Sequence, residues 1–326
     1  MQTQPGQSAT MLEATLANFE FRGEQTALTH ESSVWTYREL CDQVYRMARA
    51  LAKLGVTRGD IVALLTGNRV ETLVLRYAVN VIGGCVVTLY DGQSASLLAA
   101  TVRQTGADYL IFDAARYDSL TSALPTKLRN LTMIAVGEHS SAPDLADLAE
   151  NEPTDRIIPD IRPGDLTSLR LTGGSTGFPK CVPRYAGTPQ TSSVPPLPWQ
   201  AAVQLLCTPM AHLGGTLAEL VLSSGGRVVV HSEFNSARVL EKIESERITH
   251  LWLPPQFLYR LLDDPASPGT DTSSLRWLSY GGATAHRAGS PRPWNVSDRS
   301  LFRVTALSRQ RRSAGCHARI TCFPNF

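Results

Sequence analysis

Apolar and polar positions along this chain follow two periods in turn. "TYRELCDQVYRMARALAKLG" sets Leu40, Val44, Met47, Leu51 and Leu54 at helical spacing and stops at Gly55, the stripe of a helix lying on a core. Thr36 and Glu39 stand three apart at its start as a capping-box pair. "GDIVALLT" follows as a short, continuously apolar run, the pattern of a strand covered on both faces. The unit recurs: "VETLVLRYAVNVIGG" predicts a helix and "CVVTLY" a strand, "ASLLAATVRQTG" a helix and "DYLIFD" a strand, with "LTMIAVG" as a further strand. Alternation of this kind predicts an α/β fold with helices on both faces of mostly parallel sheets.

Between about Glu138 and Pro163 the text turns polar and proline-bearing, and reads as a linker. A second alternating block follows, with "TSLRL", "AVQLLCT", "RVVVHS", "ITHLWL" and "LRWLSY" as strands and "TLAELVLSS", "SARVLEKIESER" and "PQFLYRLLDD" as helices. Two related α/β subdomains are therefore expected, 1–165 and 166–283, followed by an Arg-rich tail at 284–326. That tail shows no sustained helix or strand period.

Composition changes this picture little. The 326 residues allow two domains at about 100–200 residues each. With 43% hydrophobic and 18% charged residues the chain is of ordinary globular type, and a net charge of +2 makes no case for nucleic acid. The N-terminus has neither a basic nor an apolar signal region. The longest apolar stretch, "VLRYAVNVIGGCVVTLY", is broken by Arg76, Asn80 and a Gly-Gly pair, against an integral membrane segment. Six cysteines lie far apart with no C-x-x-C pair, so neither a disulfide nor a zinc framework is expected, and the cytoplasm is the expected compartment.

The candidate chemistry starts in "SLRLTGGSTGFPK". A strand runs into Gly173, Gly174 and Gly177, which let the backbone bend and approach a ligand closely. Successive N–H groups in such a turn make an anion-binding concavity. Thr172, Ser175 and Thr176 add hydroxyls and Lys180 a positive charge, a set that suits a polyphosphate. A flexible Gly/Ser linker is the plainer alternative. A Walker A loop is excluded, because Pro179-Lys180-Cys181 stands where G-K-[ST] is required.

"LTGGSTGFPK" resembles the signature loop of the adenylate-forming superfamily, the acyl-CoA synthetases, peptide-synthetase adenylation domains and luciferases, which reads T-S-G-[ST]-T-G-x-P-K-G-V. The resemblance runs from about Phe19 to Ala283. It takes in the Tyr-x-Glu-Leu helix leading to Gly-Asp-x-Val and an Asn, the "CTPMAHLGG" segment, the "ITHLWLPPQF" stretch and the strand ending in Gly281-Gly282-Ala283. In texture it is closest to bacterial fatty-acid and related acyl-CoA ligases. The resemblance implies the N-terminal part of that fold and an acid–thiol ligase. Such an enzyme uses ATP and Mg2+ to adenylate a carboxylic acid of the fatty class, and coenzyme A then displaces AMP. It implies that Thr172, Gly173, Gly174, Ser175, Thr176, Gly177 and Lys180 cradle the β- and γ-phosphates. His212 would meet the acyl carboxylate and adenylate, with Lys180 the second catalytic group, and Gly281, Gly282 and Ala283 would line the adenine slot. The bland readings are a core histidine for His212 and an ordinary tight turn for Gly281-Gly282. Asp263-Asp264 reads as a solvated pair at a helix end.

Three departures qualify the resemblance. Gly173 and Cys181 replace the usual Ser and Gly, the second putting a side chain where the loop often needs backbone freedom. "YAGTPQTSSVPPLPWQ" stands where a longer helical segment is usual, and its prolines speak against a helix. After Ala283 the text carries eight arginines, no lysine, no glutamate and one acid, Asp298. It reads as translation in a shifted frame, or as a basic arm. Glu246 and Lys242 are the last of their kinds, so the family's Tyr-Gly-x-Thr-Glu motif, its ribose-binding Asp and its C-terminal lysine have no counterpart. A chain cut short, with impaired ligase activity or only nucleotide or acyl binding, is the expectation.

Overall fold

The computed structural model describes residues 10–124, 128, 131–172, 179–188, 199–281, 299–304 and 320–322. Its elements in chain order are α1 (Met11–Arg22), β1 (Thr26–His30), β2 (Ser33–Thr36), α2 (Tyr37–Lys53), β3 (Ile61–Leu65), α3 (Val70–Val81), β4 (Cys85–Thr88), α4 (Ala95–Thr105), β5 (Tyr109–Asp113), α5 (Ala114–Thr121), β6 (Thr132–Val136) and α6 (Leu145–Glu150). They continue with β7 (Leu166–Thr172), β8 (Lys180–Tyr185), β9 (Val203–Leu206), α7 (Leu213–Ser224), β10 (Arg227–Val230), α8 (Ser236–Ser245), β11 (His250–Leu253), α9 (Pro255–Asp263), β12 (Trp277–Gly281), β13 (Arg299–Val304) and β14 (Ile320–Cys322). The capping box read at Thr36 is formed: the Glu39 backbone N–H donates to Thr36 Oγ1 (3.1 Å) and the Thr36 N–H to Glu39 Oε2 (2.7 Å).

The strands form two sheets, in the orders β14-β13-β12-β11-β9-β10-β1-β2 and β6-β5-β3-β4-β7-β8. Pairing is parallel except at β1–β2, β7–β8, β12–β13 and β13–β14. The sheets interleave along the chain rather than dividing at residue 165. The β1–β2 hairpin joins β9–β12 through β10, and the β7–β8 hairpin joins β3–β6 through β4.

Alternation within each buried strand produces layers. Val62 and Leu64 of β3 enter the central core with α2, α3 and α7, whereas Ala63 and Leu65 enter an outer core with Leu98, Val102 and Phe112. In the other sheet, Leu206, Val228 and Val230 face the same central core, while Leu205, Val229 and Leu251 pack under α8 and α9. The inner strands β3, β4, β5, β9, β10 and β11 are thus covered on both faces, as their continuous apolar runs require. The edge strands β2 and β8 stay partly exposed.

Four features depart from the sequence reading. The expected linker contains α6, whose Leu145 and Ala149 enter the central core. Cys181 lies not in a loop but inside β8, opposite Leu171 and packed against the outer core. A side chain fits there because a regular strand needs no unusual backbone freedom. The strand β8 itself contains Pro183 and escapes an apolar-run reading; it survives because it is the sheet edge, where proline is tolerated. The tail, without strand period, nonetheless supplies β13 and β14, because pairing along the open edge of β12 uses backbone groups rather than a side-chain pattern. Among the described residues, no helix is long and apolar enough to cross a membrane, and Cys41, Cys85, Cys181 and Cys207 are free thiols.

Candidate functional site

The loops leaving the C-terminal ends of parallel strands are where α/β sheets carry chemistry, and the described candidate residues stand at or beyond such ends. Thr172 closes β7 and Lys180 opens β8, and the two are partners in register across the hairpin. Thr172 Oγ1 donates to the Lys180 carbonyl at 3.4 Å, and the Lys180 side chain is exposed. Gly173, Gly174, Ser175, Thr176 and Gly177 lie outside the described residues. The structure therefore gives the hairpin's base and not its tip.

His212 is the N-cap of α7, just beyond β9. Its Nδ1 accepts a hydrogen bond from the Leu213 backbone N–H at 2.8 Å. A neutral imidazole that accepts at Nδ1 carries its proton at Nε2, so the ring presents an N–H donor on its far side. Burial first, and the charge of Arg170 on β7 second, hold its pKa below the ordinary imidazole range. Protonation would also place a cation at the positive end of α7. His212 is therefore a neutral donor near pH 7.

Two rings fix its plane. Trp252 of β11 stacks on it, with centroids 5.8 Å apart and planes 15° from parallel. Tyr90, just beyond β4, stands 6.2 Å away at 50°. The Tyr90 hydroxyl donates to the Leu171 carbonyl at 2.9 Å, one residue before Thr172. One aromatic side chain thus links His212 to the base of the glycine-rich hairpin. Sequence reasoning missed Tyr90 and Trp252, because neither belongs to a recognisable motif and both reach His212 only through the packing of the two sheets.

The two glycines after His212 have a steric reason. A Cβ on Gly214 would lie 2.6 Å from Thr208 Oγ1, and one on Gly215 would lie 2.3 Å from the Met210 carbonyl oxygen. Real side chains do not approach so closely, so the first turn of α7 folds against the loop before it only with glycine at both places.

Gly281 ends β12, in register with Arg299 of β13; it is part of a strand pair rather than an isolated tight turn. Gly282 and Ala283 lie outside the described residues. No group of three His, Cys, Asp or Glu among the described residues could hold a metal ion. Glu219 of α7 is committed to Arg76 of α3, at 2.8 Å through both carboxylate oxygens. Of the described candidate residues, Thr172, Lys180, His212 and Gly281, none carries a carboxylate that could hold Mg2+. A separate cavity of about 860 Å3 opens beyond β1 and β10, lined by Glu31, Arg116, His231, Arg238 and Lys242 among others, and includes none of the candidate residues.

Comparison with known proteins gives one consistent result. The family model for AMP-binding enzymes matches residues 17–290. A medium/long-chain-fatty-acid–CoA ligase, FadD8 of Mycobacterium tuberculosis, is 31% identical over 258 residues, 74% of this chain and 45% of that protein. The 2,3-dihydroxybenzoate-AMP ligase of Bacillus subtilis is 31% identical over 80% of this chain and 50% of its own length. The chain thus spans about half the length of these relatives. Among solved structures, the amide bond synthetase McbA from Marinactinospora thermotolerans is 29% identical with a TM-score of 0.71, over 85% of this chain and 56% of that one. The N-terminal domain of FACL13 from Mycobacterium tuberculosis shares the fold at a TM-score of 0.73 and 22% identity, over 86% of this chain and 72% of that one.

Proposed function

Because the chain belongs to the AMP-binding enzyme family, we propose that it carries the phosphate-holding and acid-facing part of an ATP-dependent acid–thiol ligase, with a fatty acid as carboxylate and coenzyme A as thiol. In that reaction a carboxylate oxygen attacks the α-phosphorus of ATP, the bond to the bridging oxygen breaks, and pyrophosphate leaves. The thiol sulfur then adds to the acyl carbon, and AMP departs. The first step brings together two anions, so the protein's part is to supply fixed donors and positive charge where negative charge gathers.

The observation that carries the reading is His212, which presents a neutral Nε2–H beside Trp252 and Tyr90 at the strand ends. A neutral donor suits an acyl or phosphate oxygen and does not compete with the substrate for a proton. Thr172 and Lys180, with Gly173, Gly174, Ser175, Thr176 and Gly177 between them, take the β- and γ-phosphates. Gly281, Gly282 and Ala283 flank the adenine, because small residues let a flat base lie against the backbone. Mg2+ belongs to the family reaction, and no step here is assigned to it. The likeness to FadD8, whose name gives a medium- or long-chain substrate, supports a fatty acid, and the equal identity to the 2,3-dihydroxybenzoate-AMP ligase makes an aromatic acid the alternative carboxylate.

A second reading is nucleotide binding without turnover. Calorimetry with ATP and pyrophosphate exchange driven by a fatty acid decide between them. The expected result is ATP binding that weakens about tenfold or more in Lys180→Ala, the worth of one charge-assisted hydrogen bond. Exchange in addition supports the ligase reading, and binding without exchange supports the second. Binding indifferent to Lys180 overturns the phosphate assignment.

A further inference from the structure

The Asn that follows Gly-Asp-x-Val in the chain has a place in neither the phosphate hairpin nor the ring stack on His212. Asn68 lies between β3 and α3, is 4% exposed, and spends its whole amide on backbone groups of the other sheet. Oδ1 accepts from the Met210 N–H at 2.9 Å, while Nδ2 donates to the Thr208 carbonyl at 2.8 Å and to the His231 carbonyl at 3.2 Å. The network fixes the orientation of the amide, since a flipped one would set N–H against N–H and oxygen against two carbonyls. The three loops after β3, β9 and β10 therefore converge on one side chain.

Its own loop is braced. Gly67 takes a positive φ of 67°. The Thr72 hydroxyl donates to the Gly67 carbonyl at 2.8 Å, and Thr66 and Thr72 hydroxyls are 2.8 Å apart. On the far side, the bond from the His212 N–H to the Pro209 carbonyl (3.1 Å) closes a turn over 209–212. Gly215 seats the Met210 carbonyl against α7. Met210 is thus bonded at its N–H by Asn68 and packed at its carbonyl against Gly215 of α7, two residues before His212.

We propose that Asn68 is a positioning residue for His212. Its amide holds the 208–210 backbone so that the His212 ring keeps Nδ1 on the Leu213 N–H and turns Nε2–H toward the site. The proposal rests on the reading of His212 as the acid-facing group. Only an amide of this length meets the demand: Asp has no donors for the two carbonyls, and Ala leaves two buried backbone groups and one half-buried one without this partner.

The test is the tautomer of His212, read from long-range 1H–15N spectra of the 326-residue chain labelled at histidine, with His212 assigned by difference from His212→Gln. The unsubstituted chain should show one neutral tautomer, protonated at Nε2. Asn68→Ala and the isosteric Asn68→Asp should show a tautomer mixture with a detectable Nδ1-protonated fraction, because the bond that selects the Nε2–H form is loosened. Asn80→Ala, which removes donors to the Gly84 and Thr167 carbonyls at the other end of α3 (3.0 and 2.8 Å), should keep the single tautomer. Folded Asn68 variants with an unchanged signature overturn the proposal, as does an equal response to Asn80→Ala. Hydrogen exchange at the Met210 amide of the unsubstituted chain needs no variant: protection matching the slowest β9 amides supports the clamp, and free exchange overturns it. Because the spectra are taken without nucleotide, failed ATP binding would remove the ligase reading while leaving the clamp to stand or fall on its own signal.

Discussion

Single residues of this protein report their surroundings most clearly through their protons. His250 on β11 is 5% exposed. Burial first, and the charge of Arg276 second, push its pKa down to about 4. An unfolded histidine titrates near about 6.5. Between those values the unfolded chain takes up a proton that the folded chain refuses, so the stability is complete above about pH 6.5 and is lost as pH falls toward 4. At about 1.4 kcal/mol for each tenfold step in proton concentration, the expected loss is about 2–3 kcal/mol by pH 4. His212 and His231 are lowered in the same direction, each by burial first, so the three add. Urea midpoints should fall steadily between pH 7 and pH 5, and His250→Gln should flatten part of that slope. A profile without slope in the unsubstituted chain would contradict the burial of these rings.

At the scale of elements, the N-terminus of α7 is the most constrained junction. Gly215→Ala would drive a Cβ to 2.3 Å from the Met210 carbonyl oxygen, a backbone atom that cannot swing aside. Overpacking of this kind costs about 2 kcal/mol, and here it also displaces the loop that leads into His212. Gly269→Ala, whose Cβ would meet nothing closer than the Ala266 carbonyl oxygen at 3.8 Å, is the control and should change the denaturation midpoint little. Equal midpoints for the two variants would mean that the 208–210 loop yields more easily than its geometry indicates. Elements were legible in the sequence where local signals agree. The Thr36–Glu39 box, the stripe of α2 and the apolar run of β3 all reappear as read. The helix α1 was overlooked although it begins with the same kind of box, Thr10 with Glu13. The β1–β2 hairpin turns at Glu31, a non-glycine residue with φ 53°, and gives no conventional turn signal.

Across the whole molecule, α3 and α7 are joined by a half-buried ion pair. Arg76 donates through Nε and Nη2 to both oxygens of Glu219, and through Nη1 to Thr88 Oγ1, all at 2.8 Å. The arginine side chain is 10% exposed and the carboxylate 25%, so the pair is partly screened. Arg76→Ala should still cost about 3 kcal/mol, because it strands Glu219 without its partner. Replacing both, as Arg76→Met with Glu219→Leu, should cost much less than the sum of the single changes. A double-mutant cycle in chemical denaturation measures the coupling, and additive single effects would mean that the pair does not join the two helices energetically. Since these helices lie in the central layer between the sheets, the coupling also stiffens the platform on which α7 presents His212.

The sequence by itself determined what depends on neighbours a few residues apart: helix stripes and caps, buried strands, the glycine- and hydroxyl-rich stretch between Thr172 and Lys180, and through them the α/β class and the family. Tertiary structure decided whatever depends on distant partners. Register and pairing sent β1–β2 to the sheet that the next strand, β3, does not occupy, and kept β7–β8 in the sheet that the next strand, β9, leaves. Packing brought Tyr90 and Trp252 onto His212, and set Asn68 against Met210, 142 positions further along. The physical reason is range. Backbone propensity and periodicity act within a turn or a strand, whereas a ring stack or a three-way amide clamp exists only after two sheets have closed over a shared helical layer.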